Sequence, residues 1–225
     1  MKPTELLGET RAPDGTHIAL TRQDREFIIL AGGRPLMSSR MHGSEQALAT
    51  FGCQHLTGEA PRVLVGGMGM GFTLRATLDA LPADSRVVVA ELIPAVIEWN
   101  RGPLGPLANH PLRDPRAHVE IGDVGATIRR ATSGFDAILL DVDNGPDAFT
   151  ASGNASLYGD RGLAATLSAL RPRGVLAVWS AWEDKKFEQR LKYTGFSVHV
   201  ERVRARLKGG GPRHTIFVAT ATGQK

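Results

Sequence analysis

From Arg62 onward the chain carries five short apolar runs, "RVLVGG", "RVVVAEL", "AHVEIGD", "FDAILLDV" and "GVLAVWS", separated by helical or loop segments. The runs are rich in β-branched residues and do not alternate apolar with polar positions. That pattern suits strands buried on both faces of a parallel sheet. A last pair, "FSVHVERVRAR" and "HTIFVATA", flanks "LKGGGPR" and reads as an antiparallel hairpin. The fold class expected is therefore α/β: a doubly wound, mostly parallel sheet closed by a C-terminal antiparallel hairpin.

The first sixty residues have a different rhythm. "HIALTRQ" and "EFIILAGGRPLM" read as strands, with Gly32-Gly33 as a turn, and "SEQALATFGCQHL" reads as a helix with Ser44 at its N-cap. The division expected is a small β-hairpin extension and helix over 1–58, then a ligand-binding domain over 59–225. The single Cys53 excludes an internal disulfide or a cysteine-only metal cluster and reads as a small buried residue. With no apolar run near the roughly 20 residues of a membrane span and no apolar signal core in "MKPTELLGETRAPDG", a cytoplasmic location is expected. The formal charge of +4 permits an anionic ligand without demanding nucleic acid. Arg202, Arg204, Arg206 and Lys208 alternate along one strand, and a solvated face is a better reading of them than a phosphate-binding stripe.

In a doubly wound sheet the ligand lies beyond the carboxyl ends of the strands, near the switch in strand order. The residues just after each run therefore matter most. After the first come Gly67, Gly69 and Gly71, whose spacing lets the backbone turn tightly against a ligand below a helix N-terminus. After the second stands Glu91, placed to accept hydrogen bonds from both hydroxyls of a ribose. After the third comes Asp123, suited to an exocyclic adenine amine, and after the fourth come Asp141 and Asp143, suited to an amine substrate as counter-ion or base. Glycine loop, Glu, Asp, Asp at four successive strand ends favours an adenosine ligand such as S-adenosylmethionine. Tyr158, Trp179 and Trp182 are candidate walls of the acceptor pocket, and His42 and His214 are the histidines nearest its edges. No histidine or cysteine spacing points to a metal, and no serine elbow is present.

With these residues placed, the stretch from about Arg62 to Ser180 resembles the spermidine synthase family of polyamine aminopropyltransferases. That family lies within the Rossmann-like class I fold of S-adenosylmethionine-dependent methyltransferases. The pieces that match are "VLVGGMGMGFTLR", "VVVAELIPAVIEWNR", "DPRAHVEIGD", "FDAILLDVDNGP" and "SLYGDRGLAATLSALRPRGVLAV", with "REFIILAGGRPLMSSRMHGSEQALA" matching more loosely. The resemblance implies that Glu91 holds the ribose, Asp123 the adenine amine, and Asp141 the attacking amine of a substrate such as putrescine. The donor-binding set expected is Gly67, Gly69, Met70, Gly71, Glu91, Leu92, Asp123, Val124 and Asp141; the catalytic set is Asp141, Asp143 and Tyr158. It also implies a homodimer.

Two departures stand out. Met70 occupies the loop position where the family carries an acid for the ammonium of the aminopropyl arm, and Gly43 and Ser44 stand where it carries a tyrosine and a histidine. On that ground the reading favours methyl transfer from S-adenosyl-L-methionine to a small amine or other small nucleophile. Aminopropyl transfer from decarboxylated S-adenosylmethionine is the alternative, beside a non-catalytic adenosyl-binding homologue. A nucleic-acid or protein methyltransferase ranks last, because no separate recognition domain is visible.

Overall fold

The computed structural model describes residues 3–56, 58–142, 156–206 and 210–222. Four strands, β1 (Glu5–Arg11), β2 (His17–Gln23), β3 (Glu26–Ala31) and β4 (Arg34–Ser38), form an antiparallel sheet in sequential order. Helix α1 (Gly43–Cys53) follows. Then come β5 (Arg62–Gly66), α2 (Phe72–Ala80), β6 (Arg86–Glu91), α3 (Pro94–Arg101), β7 (Ala117–Ile121), α4 (Val124–Arg130) and β8 (Phe135–Leu140). The chain closes with α5 (Asp160–Ala169), β9 (Leu170–Ser180), α6 (Lys185–Thr194), β10 (Phe196–Arg204) and β11 (Arg213–Ala221).

The seven-stranded sheet has the order β10-β11-β9-β8-β5-β6-β7. Strands β7, β6, β5, β8 and β9 pair in parallel, while β11 pairs antiparallel with both β9 and β10. The C-terminal hairpin thus inserts its second strand next to β9, and β10 on the outer edge runs with the parallel set. Alternation along the central strands divides the core in two. Val63, Val65, Val87, Val89 and Leu139 pack with α1, α2 and α3, whereas Leu64, Ile138, Leu140, Leu176 and Val178 pack with α4, α5 and α6. This double burial is why the runs are continuous in apolar residues.

The small sheet is not a separate body: Ile18, Leu20 and Ile29 share the core of the α1–α3 side with Val63 and Val65. Helix α1 lies on the same side through Leu48, Ala49 and Cys53, the last pushed up to about 12 in pKa by burial. The N-cap of α1 is His42, two residues earlier than the expected Ser44. The Gly43 N–H at the helix start is satisfied by the Ala205 carbonyl at 2.8 Å, which leaves the Ser44 hydroxyl for another use. The side chains of Arg202, Arg204 and Arg206 are exposed on the edge strand and beyond it, Arg202 paired with Glu183; Lys208 lies outside the described residues. Among the described residues no helix is long and apolar enough to cross a membrane.

Candidate active site

The order of strands reverses between β5 and β8, and a cavity of about 360 Å³ opens at their carboxyl ends. Its floor comes from the residues that end β5, β6 and β8. The antiparallel sheet walls it with Ile18, Ile29, Leu36 and Met37, and the hairpin end closes it with Pro212 and His214.

The glycine loop sets the floor. At Gly67, φ is +86°, and a β-carbon there would sit 2.6 Å from the Asp141 carbonyl oxygen, so no larger residue fits between β5 and β8. The Gly67 N–H donates to Ala90 and the Asp141 N–H to Gly66, each at 2.9 Å, which pins the three strand ends together. Glu91, buried at the end of β6, accepts from the Met68 N–H and the Ile93 N–H, each at 2.8 Å. It therefore holds the loop in shape. Asp123 caps α4, accepting from Gly125 at 2.9 Å and Ala126 at 3.1 Å, with Arg129 beside it at 3.3 Å. Leu92, Asp123 and Val124 line the end of the cavity next to Glu91.

At the other end two carboxyl groups face each other's field. Burial pushes Asp141 up to about 6, although the Thr73 hydroxyl donates to it at 2.5 Å and pulls the other way. Burial, and then the Asp141 charge, pushes Glu45 up to about 8. The Ser44 hydroxyl donates to Glu45 Oε2 at 2.7 Å and lies 2.9 Å from His214 Nδ1. The His214 ring stands edge-on to Trp179 at 4.6 Å, and burial holds its pKa below the ordinary value.

Gly67, Gly69, Glu91, Leu92, Asp123, Val124 and Asp141 all line this cavity. Met70 and Gly71 do not. Gly71 is the left-handed N-cap of α2, and Met70 is fully buried in the α1–α3 core. Tyr158 is also corrected from pocket wall to core: it is 1% exposed and packs edge-on against Phe187 at 5.6 Å. Asp143 lies outside the described residues. Of the other candidates Trp179 and His214 reach the cavity, whereas Trp182 is 41% exposed and His42 stacks on Phe72 at 4.1 Å. Among the described residues no group of three or more His, Cys, Asp or Glu side chains is placed to hold a metal.

Sequence reasoning missed Glu45. A signal was available: with Leu48, Ala49 and Gly52 it falls on the buried stripe of α1, where an acid has no structural use.

No protein-family model matches the chain. It is similar to the polyamine aminopropyltransferases of Mycobacterium tuberculosis H37Rv and Mycobacterium bovis, 36% identical over 122 residues, which is 53% of this chain. The chain spans about a fifth (22%) of the length of these relatives. Among solved structures it resembles spermidine synthase from Thermotoga maritima, with TM-score 0.74, 19% identity, and coverage of 97% of this chain and 73% of that one. A spermidine synthase in complex with the transition-state analogue AdoDATO matches with TM-score 0.73, again at 19% identity and the same coverage. The fold is the class I methyltransferase-like fold of these spermidine synthases.

These relatives overturn the preference for methyl transfer: the sequence similarity runs to aminopropyltransferases. The physical reason is local. The preference rested on Met70 replacing an acid, but Met70 packs in the core, and Glu45 and Asp141 supply carboxyl groups to the same cavity.

Proposed function

We propose that this site transfers an aminopropyl group from decarboxylated S-adenosylmethionine to a small amine. One observation carries the reading. Among its described lining residues the cavity has four carboxyl groups (Glu45, Glu91, Asp123 and Asp141) and no lysine or arginine. Such a cavity favours a ligand with several positive charges. The decarboxylated donor carries a sulfonium and an ammonium, and the acceptor a further ammonium. A donor that kept its carboxylate would find no lysine or arginine among the described lining residues. Similarity to the polyamine aminopropyltransferases supports the same choice.

In this reading Glu91 and Asp123 hold the adenosine, and Asp141 orients the acceptor amine. The amine nitrogen, once neutral, attacks the carbon next to the sulfonium in line with the breaking bond. The C–N bond forms as the C–S pair leaves with sulfur, giving a neutral thioether. Positioning two charged reactants against each other is the main contribution of the cavity, and one proton must pass from the amine to a base.

The test is incubation with decarboxylated S-adenosylmethionine and a panel of amines that includes putrescine and simple alkyl monoamines, with mass spectrometry of the products. The expected result is an acceptor heavier by one aminopropyl unit, formed together with the thioether. Absence of that product from every acceptor overturns the assignment.

A further inference from the structure

Glu45, Ser44 and His214 make a line of contacts that orientation of the amine by Asp141 leaves unused. Ser44 is fully buried, so its hydroxyl meets only what the protein provides, Glu45 Oε2 at 2.7 Å and His214 Nδ1 at 2.9 Å. Both neighbours line the cavity. The line is assembled from opposite ends of the chain: the Ala205 carbonyl receives the Gly43 N–H, which docks the hairpin on the start of α1. A hydroxyl between a carboxyl and an imidazole has two arrangements. With Glu45 ionised, Ser44 donates to it and accepts from His214 Nδ1–H. With Glu45 protonated, the carboxyl can donate to Ser44, which then donates to a bare Nδ1.

We propose that Glu45 is a second catalytic carboxylate of this site, taking the proton that the attacking amine must lose, and that Ser44 and His214 are positioning residues whose hydrogen bonds reverse with its charge. The inference rests on the transfer reading above. Its proton balance is simple. The acceptor ammonium gives one proton to ionised Glu45, the freed nitrogen pair forms the C–N bond, and Glu45 releases the proton to water when product leaves. Asp141 is held by Thr73 and stays the counter-ion of the ammonium. The charged groups around Glu45 agree with this division. Asp141 reaches it from β8 and His214 from β11, with Glu91 and Asp123 farther along the cavity. Arg75 of α2 is engaged by Asp79 and Asp114, and Arg202 of β10 by Glu183. Both arginines are thus spoken for by other acids, and burial beside Asp141 lets Glu45 exchange its proton near neutral pH.

Two measurements test it. In the first, ¹⁵N-histidine spectra of the whole protein are followed with pH, the His214 signals being identified by their loss in His214→Asn. His214 should move towards the Nδ1–H tautomer as Glu45 ionises near pH 8, and this step should vanish in Glu45→Gln and in Ser44→Ala. A tautomer that stays constant in the unchanged protein overturns the coupling. In the second, kcat is measured against pH with decarboxylated S-adenosylmethionine and the acceptor that reacts. Glu45→Gln should lower kcat about a hundredfold and remove the rising limb of the profile. Ser44→Ala should move that limb to higher pH, because the Ser44 hydrogen bond favours the ionised carboxyl. A Glu45→Gln variant with raised KM but unchanged kcat and profile overturns the catalytic role. If no acceptor reacts, the transfer reading falls and the proposed catalytic role of Glu45 falls with it. The histidine titration would still decide whether the Glu45–Ser44–His214 coupling is real.

Discussion

Asp141 and Glu45 differ from surface acids because both lost water when the two sheets closed over them. The sign of the consequence follows from linkage. Each folded-state pKa, about 6 for Asp141 and about 8 for Glu45, lies above the ordinary value, 3.8 and 4.5. The folded protein therefore keeps protons that the unfolded chain has released. Stability from these groups is greatest below about pH 4 and is lost as pH rises through about 6 and then about 8. In the unliganded protein, Glu45→Gln should be the more stable form above pH 8 by a few kcal/mol, and the difference should shrink towards pH 5, as read by urea unfolding at both pH values. Met70 gives the complementary prediction. Because it is fully buried in the core, Met70→Leu should cost about 1 kcal/mol or less, and Met70→Asp about 3 kcal/mol or more. Tighter donor binding in a stable Met70→Asp variant would show instead that this position faces the cavity. The acids at 91, 123 and 141 were legible because each ends an apolar run. Glu45 was legible only as an acid on the buried stripe of α1, and the contact of Ser44 was not legible at all, since it is made with a histidine 170 positions away in the chain.

At the level of elements, the β5–α2 turn is the feature that converts strand order into a cavity. Gly67 lets the Asp141 backbone approach closely, and Glu91 ties the turn to β6 through two backbone N–H groups. Gly67→Ala should therefore cost at least about 1–2 kcal/mol through its positive φ. It should also displace Asp141, so donor binding measured by calorimetry should weaken even where the variant remains folded. The glycine spacing is readable as a turn from sequence. That its second methionine packs inward is a property of the turn's path, which three positive-φ glycines set at Gly67, Gly69 and Gly71. The hairpin shows the same limit. Its strands are evident from alternation, but the insertion of β11 between β9 and β10 is decided by which edge satisfies the β9 backbone.

Across the whole molecule, the cavity is lined jointly by the small antiparallel sheet and the large parallel one. A ligand held between them should stabilise both. Decarboxylated S-adenosylmethionine at a hundred times its Kd should add about 2.7 kcal/mol to unfolding stability, seen as a rise in Tm. Hydrogen exchange should slow in β2 and β3 as well as at the ends of β5, β6 and β8. Protection confined to the parallel sheet would show that the antiparallel sheet does not enclose the donor.

The apolar runs by themselves determined the parallel sheet, because strands buried on both faces need continuous β-branched sequence. The residues after those runs likewise marked the strand ends that line the cavity. Only the tertiary structure decided that Glu45 and Asp141 share one end of the cavity and that Met70 packs away from it. Burial and charge coupling arise when α1, the hairpin and the strand ends are brought together. A one-dimensional pattern carries the period of each element but not the distance between Glu45, Asp141 and His214.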